Sequence, residues 1–427
     1  IKELKEKVSG LPATRMLYYE DTYMKEFEAK VAASFDGKYV VLDQTCFYSE
    51  GGGQMADRGT LRFEGGSANV VDVQKVGNVI VHIVEGELPN VGEAVKGNID
   101  WDRRTTLMRH HTATHILIGA ARRVLGEHAW QSGAQKDVDR SRLDISHYQH
   151  LSEEEIDEIE KLAFEVVSKN MPVETMWMPR EKAERAYGFR LYQGGAVPGR
   201  EIRIVKVGDW DVEACGGTHC KQTGEIGLIK ILRAERIQDG VERLIFVAGI
   251  PALKAIQDQE ALLIRTAQIL KASPDKLERV ASDLVAEKQI LAKQVEEFRA
   301  EATTREAQML LMGSRKVGRL KLVASKRTSG TEDDLIMLSS KIVETEPSTV
   351  CVLVLVKQTV RIFVAAGKQA LKEGVNAGAL AKKLAEIVGG GGGGKPYFGQ
   401  GGGTDVKKAD EVLTAIKRLL PRKQRSR

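Results

Sequence analysis

His111-Thr112-Ala113-Thr114-His115 lies within residues 103–125, where Leu107, Ile116, Leu117, Ala120, Ala121 and Val124 recur at helical spacing until Gly126 stops the run. On such a helix His111 and His115, four apart, share one face and can point at one ion. Cys215-Gly216-Gly217-Thr218-His219 repeats the spacing in another setting: its glycines disfavour a helix and suit a loop wrapped closely around something. Three imidazoles and one thiolate make a tetrahedral nitrogen and sulfur set, which suits zinc. Either pair alone reads as an ordinary helix or loop feature; together they predict a zinc site of His111, His115, Cys215 and His219. His110 points about 100° away around the helix and stays outside the set. So does Cys220, whose spacing from Cys215 fits no zinc knuckle.

Working outward, residues 103–250 alternate in type. A strand is expected near 141–146 and an amphipathic helix from Ser152 to about Asn170, with Ser152 as N-cap and Glu155 completing a capping box. Strands follow at 201–207, 226–234 and 241–248, the last two flanking the hairpin signal Gln238-Asp239-Gly240. This predicts an α+β domain, helices on a mostly antiparallel sheet. Upstream, residues 1–102 hold short alternating runs that read as a small β-barrel, with Gly51, Gly52, Gly53 and Gln54 in a loop after the first strand. That loop is either a tight barrel corner or a backbone surface for phosphate or sugar.

Residues 251–312 are helical throughout, broken once at Ser273-Pro274, with an apolar stripe that includes Leu284, Leu291, Val295 and Phe298. Such a stripe needs a partner, either the preceding helix as a hairpin or a second subunit. Residues 313–427 predict an α/β globular domain: strand, helix, two paired strands, helix, glycine loop, helix. The whole is an α+β multidomain chain.

With 427 residues and no run of eighteen apolar ones, the chain is expected to be soluble and cytoplasmic, with no membrane role. Its four cysteines form no disulfide framework. The opening I-K-E-L-K-E-K-V reads as the end of a longer helix, so the protein is expected to continue upstream. The net charge of +5 is uneven: residues 313–427 carry 22 Lys or Arg against 10 Asp or Glu, leaving the rest acidic. A basic domain suggests a polyanion, most often nucleic acid; the bland alternative is a solvated basic tail. Lys395, Tyr397, Phe398 and Gln400 sit in the glycine loop with Gly391 and Gly402, and cations beside stackable rings suit splayed bases.

H-T-A-T-H followed by C-G-G-T-H resembles the editing domain of the alanyl-tRNA synthetase family. The resemblance extends to Ser49-Glu50-Gly51-Gly52-Gly53-Gln54 with Asp57-Arg58-Gly59, which matches the glycine motif of that family's small barrel. His128-Ala129-Trp130-Gln131-Ser132-Gly133 and Arg142-Leu143-Asp144-Ile145-Ser146-His147 resemble its H-x-x-Q-x-G and R-F-D-x-S-H segments. The glycine run at 389–394 with Lys395-Pro396-Tyr397-Phe398-Gly399-Gln400 resembles its C-terminal domain, which is shared with certain phosphoesterases. These matches, in order, point to the C-terminal half of the archaeal type, without the class II aminoacylation core and its ATP site.

The resemblance implies hydrolysis of serine or glycine from mischarged tRNA(Ala), with Zn2+ bound, tRNA held by the C-terminal domain and a homodimer formed through 251–427. An ester needs a positioned water, a polarised carbonyl and a dry pocket. Gln131 is the candidate for sensing the serine hydroxyl, since an amide both donates and accepts. Thr112 is a second candidate, while Asp144 and His147 could orient a zinc ligand or move a proton. Four protein ligands would fill the zinc shell, which favours a positioning role over zinc hydroxide. The rivals are a long free-standing editing protein of the same domains, a tRNA-binding module with structural zinc, and a phosphoesterase. The last needs an Asp-rich metal centre such as D-H-H, and Asp does not precede His110-His111.

Overall fold

Six strands close into a barrel in the order β1-β2-β5-β4-β3-β6: β1 Glu26–Phe35, β2 Tyr39–Leu42, β3 Gly59–Phe63, β4 Gly66–Val76, β5 Val79–Gly86 and β6 Ala94–Ile99. Alternation builds it: Phe27, Ala29 and Val31 of β1 are buried between exposed Glu26, Glu28 and Lys30. The computed structural model describes residues 2–192, 195, 197 and 199–420. They fall into two units, Ile1–Thr266 and Ala267–Arg427.

In the first unit the barrel leads directly into α1, Trp101–Leu125, whose N-cap Asp100 accepts from the Arg103 N–H. Arg104, one turn in, is fully buried. Its guanidinium donates to Asp57, to Cys46 O (2.6 Å) and to Thr22 O (2.9 Å). This pair fastens the glycine-motif segment of the barrel to the start of the histidine helix. A buried charge without such a partner would cost several kcal/mol, roughly 3–5.

Strands β7 Gln131–Lys136, β8 Ser141–Ser146, β9 Val173–Pro179, β10 Glu201–Val207, β11 Asp211–Ala214, β12 Ile229–Gln238 and β13 Val241–Ala248 follow, with α2, Glu153–Ser168, between β8 and β9. The capping box of Ser152 and Glu155 is formed. Where one sheet was expected there are two, ordered β12-β13-β8-β7 and β9-β10-β11. The edge strand β11 of the smaller sheet carries Asp211 and Glu213 inward, toward His115 of α1. The main core joins Ile116, Leu117, Ala120 and Ala121 of α1 to Leu143, Ile145, Leu244 and Phe246 of the larger sheet.

Helix α3, Ile250–Ile269, spans the boundary of the two units, and α4 covers Leu277–Met312. In α4 the stripe residues Leu284, Leu291, Val295 and Phe298 are exposed. The second unit continues with β14 Arg315–Val317, β15 Leu320–Arg327, α5 Glu332–Thr345, β16 Thr349–Val356, β17 Val360–Ala366, α6 Ala377–Ile387, β18 Gly391–Lys395, β19 Phe398–Gly403 and α7 Ala409–Leu419. Its sheet runs β14-β15-β16-β17-β19-β18, with β15 and β16 parallel.

The expected glycine loop is therefore a hairpin of two strands. Glycine has low strand propensity, so nothing in its pattern announces a strand. The reason for glycine is proximity to α6: a Cβ on Gly392 would lie 2.9 Å from Ala381 O, and one on Gly399 would lie 2.5 Å from Ala377 O. Backbone packs on backbone there. Residues 421–427 of the expected basic tail lie outside the described residues.

Candidate metal centre

Helix α1 and the loop after β11 deliver four donor atoms, from His111, His115, Cys215 and His219, all within 4.8 Å of one another. The Cys215 Sγ lies 3.3 Å from His111 Nε2 and 3.4 Å from His219 Nε2. A tetrahedral zinc with bonds of about 2.0–2.3 Å would hold its ligands roughly 3.3–3.8 Å apart, so this spacing fits. Burial pushes the Cys215 thiol up, but His111 and His219 outweigh it and hold the sulfur well below its ordinary value, ready as a thiolate. Burial lowers His111 and His219, which favours the neutral imidazoles a metal requires.

Each imidazole is held from behind through Nδ1, which leaves Nε2 for the centre. His111 Nδ1 is 2.8 Å from Gln54 Oε1. His219 Nδ1 is 3.2 Å from Thr112 Oγ1, whose own proton goes to Met108 O. His115 Nδ1 faces two carboxylates, Asp211 Oδ2 and Glu213 Oε2, each at 3.3 Å. The opposing charge of those carboxylates outweighs burial and raises His115. Glu213 itself is raised to about 8, chiefly by burial. Partners of this kind fix the tautomer and ring angle of a ligating histidine.

The loop owes its shape to glycine at two points. A Cβ on Gly217 would stand 2.0 Å from His111 Cε1. Across the site, Gly53 has φ +73°, and a Cβ there would meet Ala134 O at 2.1 Å. The Gly51–Gln54 loop thus lies directly on β7 and over His111. Gln54, in the loop read as either a barrel corner or a phosphate or sugar surface with Gly51, Gly52 and Gly53, has its amide turned inward: Oε1 also accepts from Thr218 N–H and Nε2 donates to Thr218 Oγ1 at 2.7 Å.

Of the other candidates, Thr112 is fully buried, with its hydroxyl bonded to Met108 and His219 and accepting from Cys220 N–H. Gln131 begins β7 and pairs with Ile145, while Gly133 pairs with the preceding Asp144. That bulge carries Gln131 onto the core-facing side shared by Ala134 and Lys136. Beside it, Arg122 lies over the Trp130 ring at 5.5 Å and reaches Asp211 at 3.8 Å. Asp144 forms a two-pronged pair with Arg243 at 2.7 and 2.9 Å, and His147 Nδ1 bonds His128 Nε2 at 2.9 Å. Neither is brought to the four donors. Asp211, Glu213 and Lys136 were not singled out from the sequence. Asp211-Val212-Glu213-Ala214-Cys215 does carry the signal: alternate residues of a strand share a face with the cysteine that follows.

In the second unit, Lys395, Tyr397, Phe398 and Gln400 line a cavity of about 480 Å³ with Gly393 and Gly394. The Lys395 Nζ stands 5.8 Å from the Tyr397 ring centre, and Gly391 pairs with Gly402.

Residues 3–103 match the family described as tRNA synthetases class II (A), residues 202–245 that of the threonyl and alanyl tRNA synthetase second additional domain, and residues 320–421 the DHHA1 domain. The alanine–tRNA ligase of Pyrococcus abyssi is 48% identical over 416 residues, 97% of this chain and 44% of that protein. That of Methanosarcina mazei is 47% identical over 413 residues, 96% of this chain and 44% of that protein. The Pyrobaculum aerophilum protein is 58% identical over 275 residues, 64% of this chain and 31% of its own length. The solved C-Ala domain from Aquifex aeolicus alanyl-tRNA synthetase covers 25% of this chain and 96% of its own at 22% identity, with a TM-score of 0.24. The chain spans less than half the length of the curated relatives it matches over nearly all its residues.

Proposed function

From a chain built of domains of the alanyl-tRNA synthetase family, we infer a proofreading deacylase that removes serine or glycine from mischarged tRNA(Ala) in the cytoplasm. The observation that carries the reading is the clustering of buried His111, His115 and His219 with half-buried Cys215, the last two in sequence, Cys215 and His219, falling in the matched second additional domain. These four residues would hold one zinc ion, which supplies a fixed positive charge for the amine or carbonyl of the aminoacyl end. Four protein ligands make a full tetrahedral shell, so positioning is favoured over water activation.

The chain's own groups do the rest. Gln54, Thr112 and the Asp211–Glu213 pair hold the imidazole rings, and Thr112 acts through His219. Gln131, on the face of β7 shared by Ala134 and Lys136, would meet a serine hydroxyl that alanine lacks, a basis for rejecting alanine. Asp144 and His147 brace the sheet through Arg243 and His128. Lys395, Tyr397, Phe398, Gln400, Gly391 and Gly402 grip tRNA. The exposed stripe of α4 serves a homodimer through residues 251–427.

The test is release of amino acid from Ser-tRNA(Ala), Gly-tRNA(Ala) and Ala-tRNA(Ala). Serine should leave faster than alanine, and Gln131→His should lose most of that rate while staying folded. Equal rates on the serine and alanine esters would remove Gln131 from this role. The full shell favours one second reading, a tRNA-binding module with purely structural zinc; it predicts no hydrolysis of any ester.

A further inference from the structure

Lys136 ends β7 and is 2% exposed. It is sewn to the glycine loop at three points: its N–H donates to Gly53 O (2.6 Å), its carbonyl accepts from Met55 N–H (3.1 Å), and Nζ donates to Gly52 O (3.0 Å). Gly52 in turn lies over the metal centre, since a Cβ there would be 3.9 Å from His111 Cε1. The ammonium is thus one residue's width from a metal ligand. Burial pushes its pKa down, and the negative charges of Cys215 and Glu213 lie near enough to draw it part of the way back. An ammonium has three donors. Among the described residues Gly52 O is its one hydrogen-bond acceptor, and no carboxylate forms an ion pair with it. Glu213 Oε1 is buried without a hydrogen-bond partner among the described residues. Glu213 is not paired with Lys136, because its Oε2 faces His115.

A lysine needed only to moor a loop would not have to bring spare donors into a buried site. On the deacylase reading above, we propose that Lys136 is a catalytic residue that receives the carbonyl oxygen of the aminoacyl ester. Water oxygen bonds to the acyl carbon, and the carbonyl π pair moves onto its oxygen, where the Lys136 N–H groups stabilise it. The pair then returns, the bond from carbon to the ribose oxygen breaks, and that oxygen takes one proton of the water. The carboxylic acid formed releases the other proton to solvent.

The experiment compares full-length wild type, Lys136→Met and Lys136→Arg on Ser-tRNA(Ala), with bound metal and uncharged-tRNA affinity measured alongside. Removing a donor to a developing oxyanion costs roughly 10²–10³-fold in kcat. Lys136→Met should show that loss with KM and metal content near wild type, and Lys136→Arg should recover part of it. If Lys136→Met does not fold, Lys136→Gln, which keeps one donor for Gly52 O, is held to the same outcomes. An unchanged kcat, or a loss that tracks loss of metal, would overturn the role while leaving the deacylase reading intact. A wild type inert on all three esters would overturn both.

Discussion

Replacing Gln54 with alanine should loosen metal from a site to which Gln54 contributes no donor atom. The side chain is fully buried and serves three groups: His111 Nδ1–H, Thr218 N–H and Thr218 Oγ1. Truncation leaves all three without their partner, at about 1–3 kcal/mol each. A fold cost of at least about 3 kcal/mol follows, read as a lower urea midpoint. Loss of the atom behind a ligating histidine typically costs about 10–100-fold in metal affinity, which is about 1.4–2.7 kcal/mol. Competition against a chromophoric chelator measures this directly. Gln54→Glu is the control: its carboxylate still accepts from His111 and Thr218 N–H, and the Thr218 hydroxyl can turn to donate. Its zinc affinity should match or exceed that of wild type. A Gln54→Ala protein that holds zinc within about 3-fold of wild type would refute the reasoning, because the barrel loop would then contribute nothing to the centre.

Three further outcomes are expected. Gly217→Ala places a Cβ 2.0 Å from the His111 ring, so metal content should fall well below one per chain while circular dichroism stays unchanged. Buried His82, held between Thr45 Oγ1 and Val40 O, is lowered by burial to about 4 from an ordinary 6.5. A depressed histidine favours the fold above the unfolded pKa, and that stability is lost as pH falls through the folded one. Urea titrations should therefore show about 3 kcal/mol disappearing between pH 6.5 and 4, a component that His82→Leu lacks. Deleting residues 313–427 removes 22 Lys or Arg; tRNA binding should weaken and its salt dependence flatten, as a salt series would show.

Much of this was legible because it is local. The histidine helix, the Ser152 cap and the Asp239-Gly240 turn each depend on residues a few positions apart, and all three formed. The grouping of His111, His115, Cys215 and His219 was legible because soft donors at paired spacing are rare. The supports were harder to see. Gln54 meets His111 across 57 positions and Arg104 meets Asp57 across 47, so no periodicity links them. The bulge at β7 turns Gln131 inward through one skipped pairing, which a two-residue alternation cannot register. The glycine hairpin was hidden for the opposite reason: its residues are chosen for what they lack, a Cβ that would strike α6.

The central claim is that residues from a helix and a distant loop make one metal centre. X-ray absorption at the zinc edge, on protein with its metal quantified, tests it most directly. One zinc per chain, with three nitrogen neighbours at about 2.0–2.1 Å and one sulfur at about 2.3 Å, is the predicted result. A chain without transition metal, or a zinc shell lacking sulfur or built of oxygen, would contradict it.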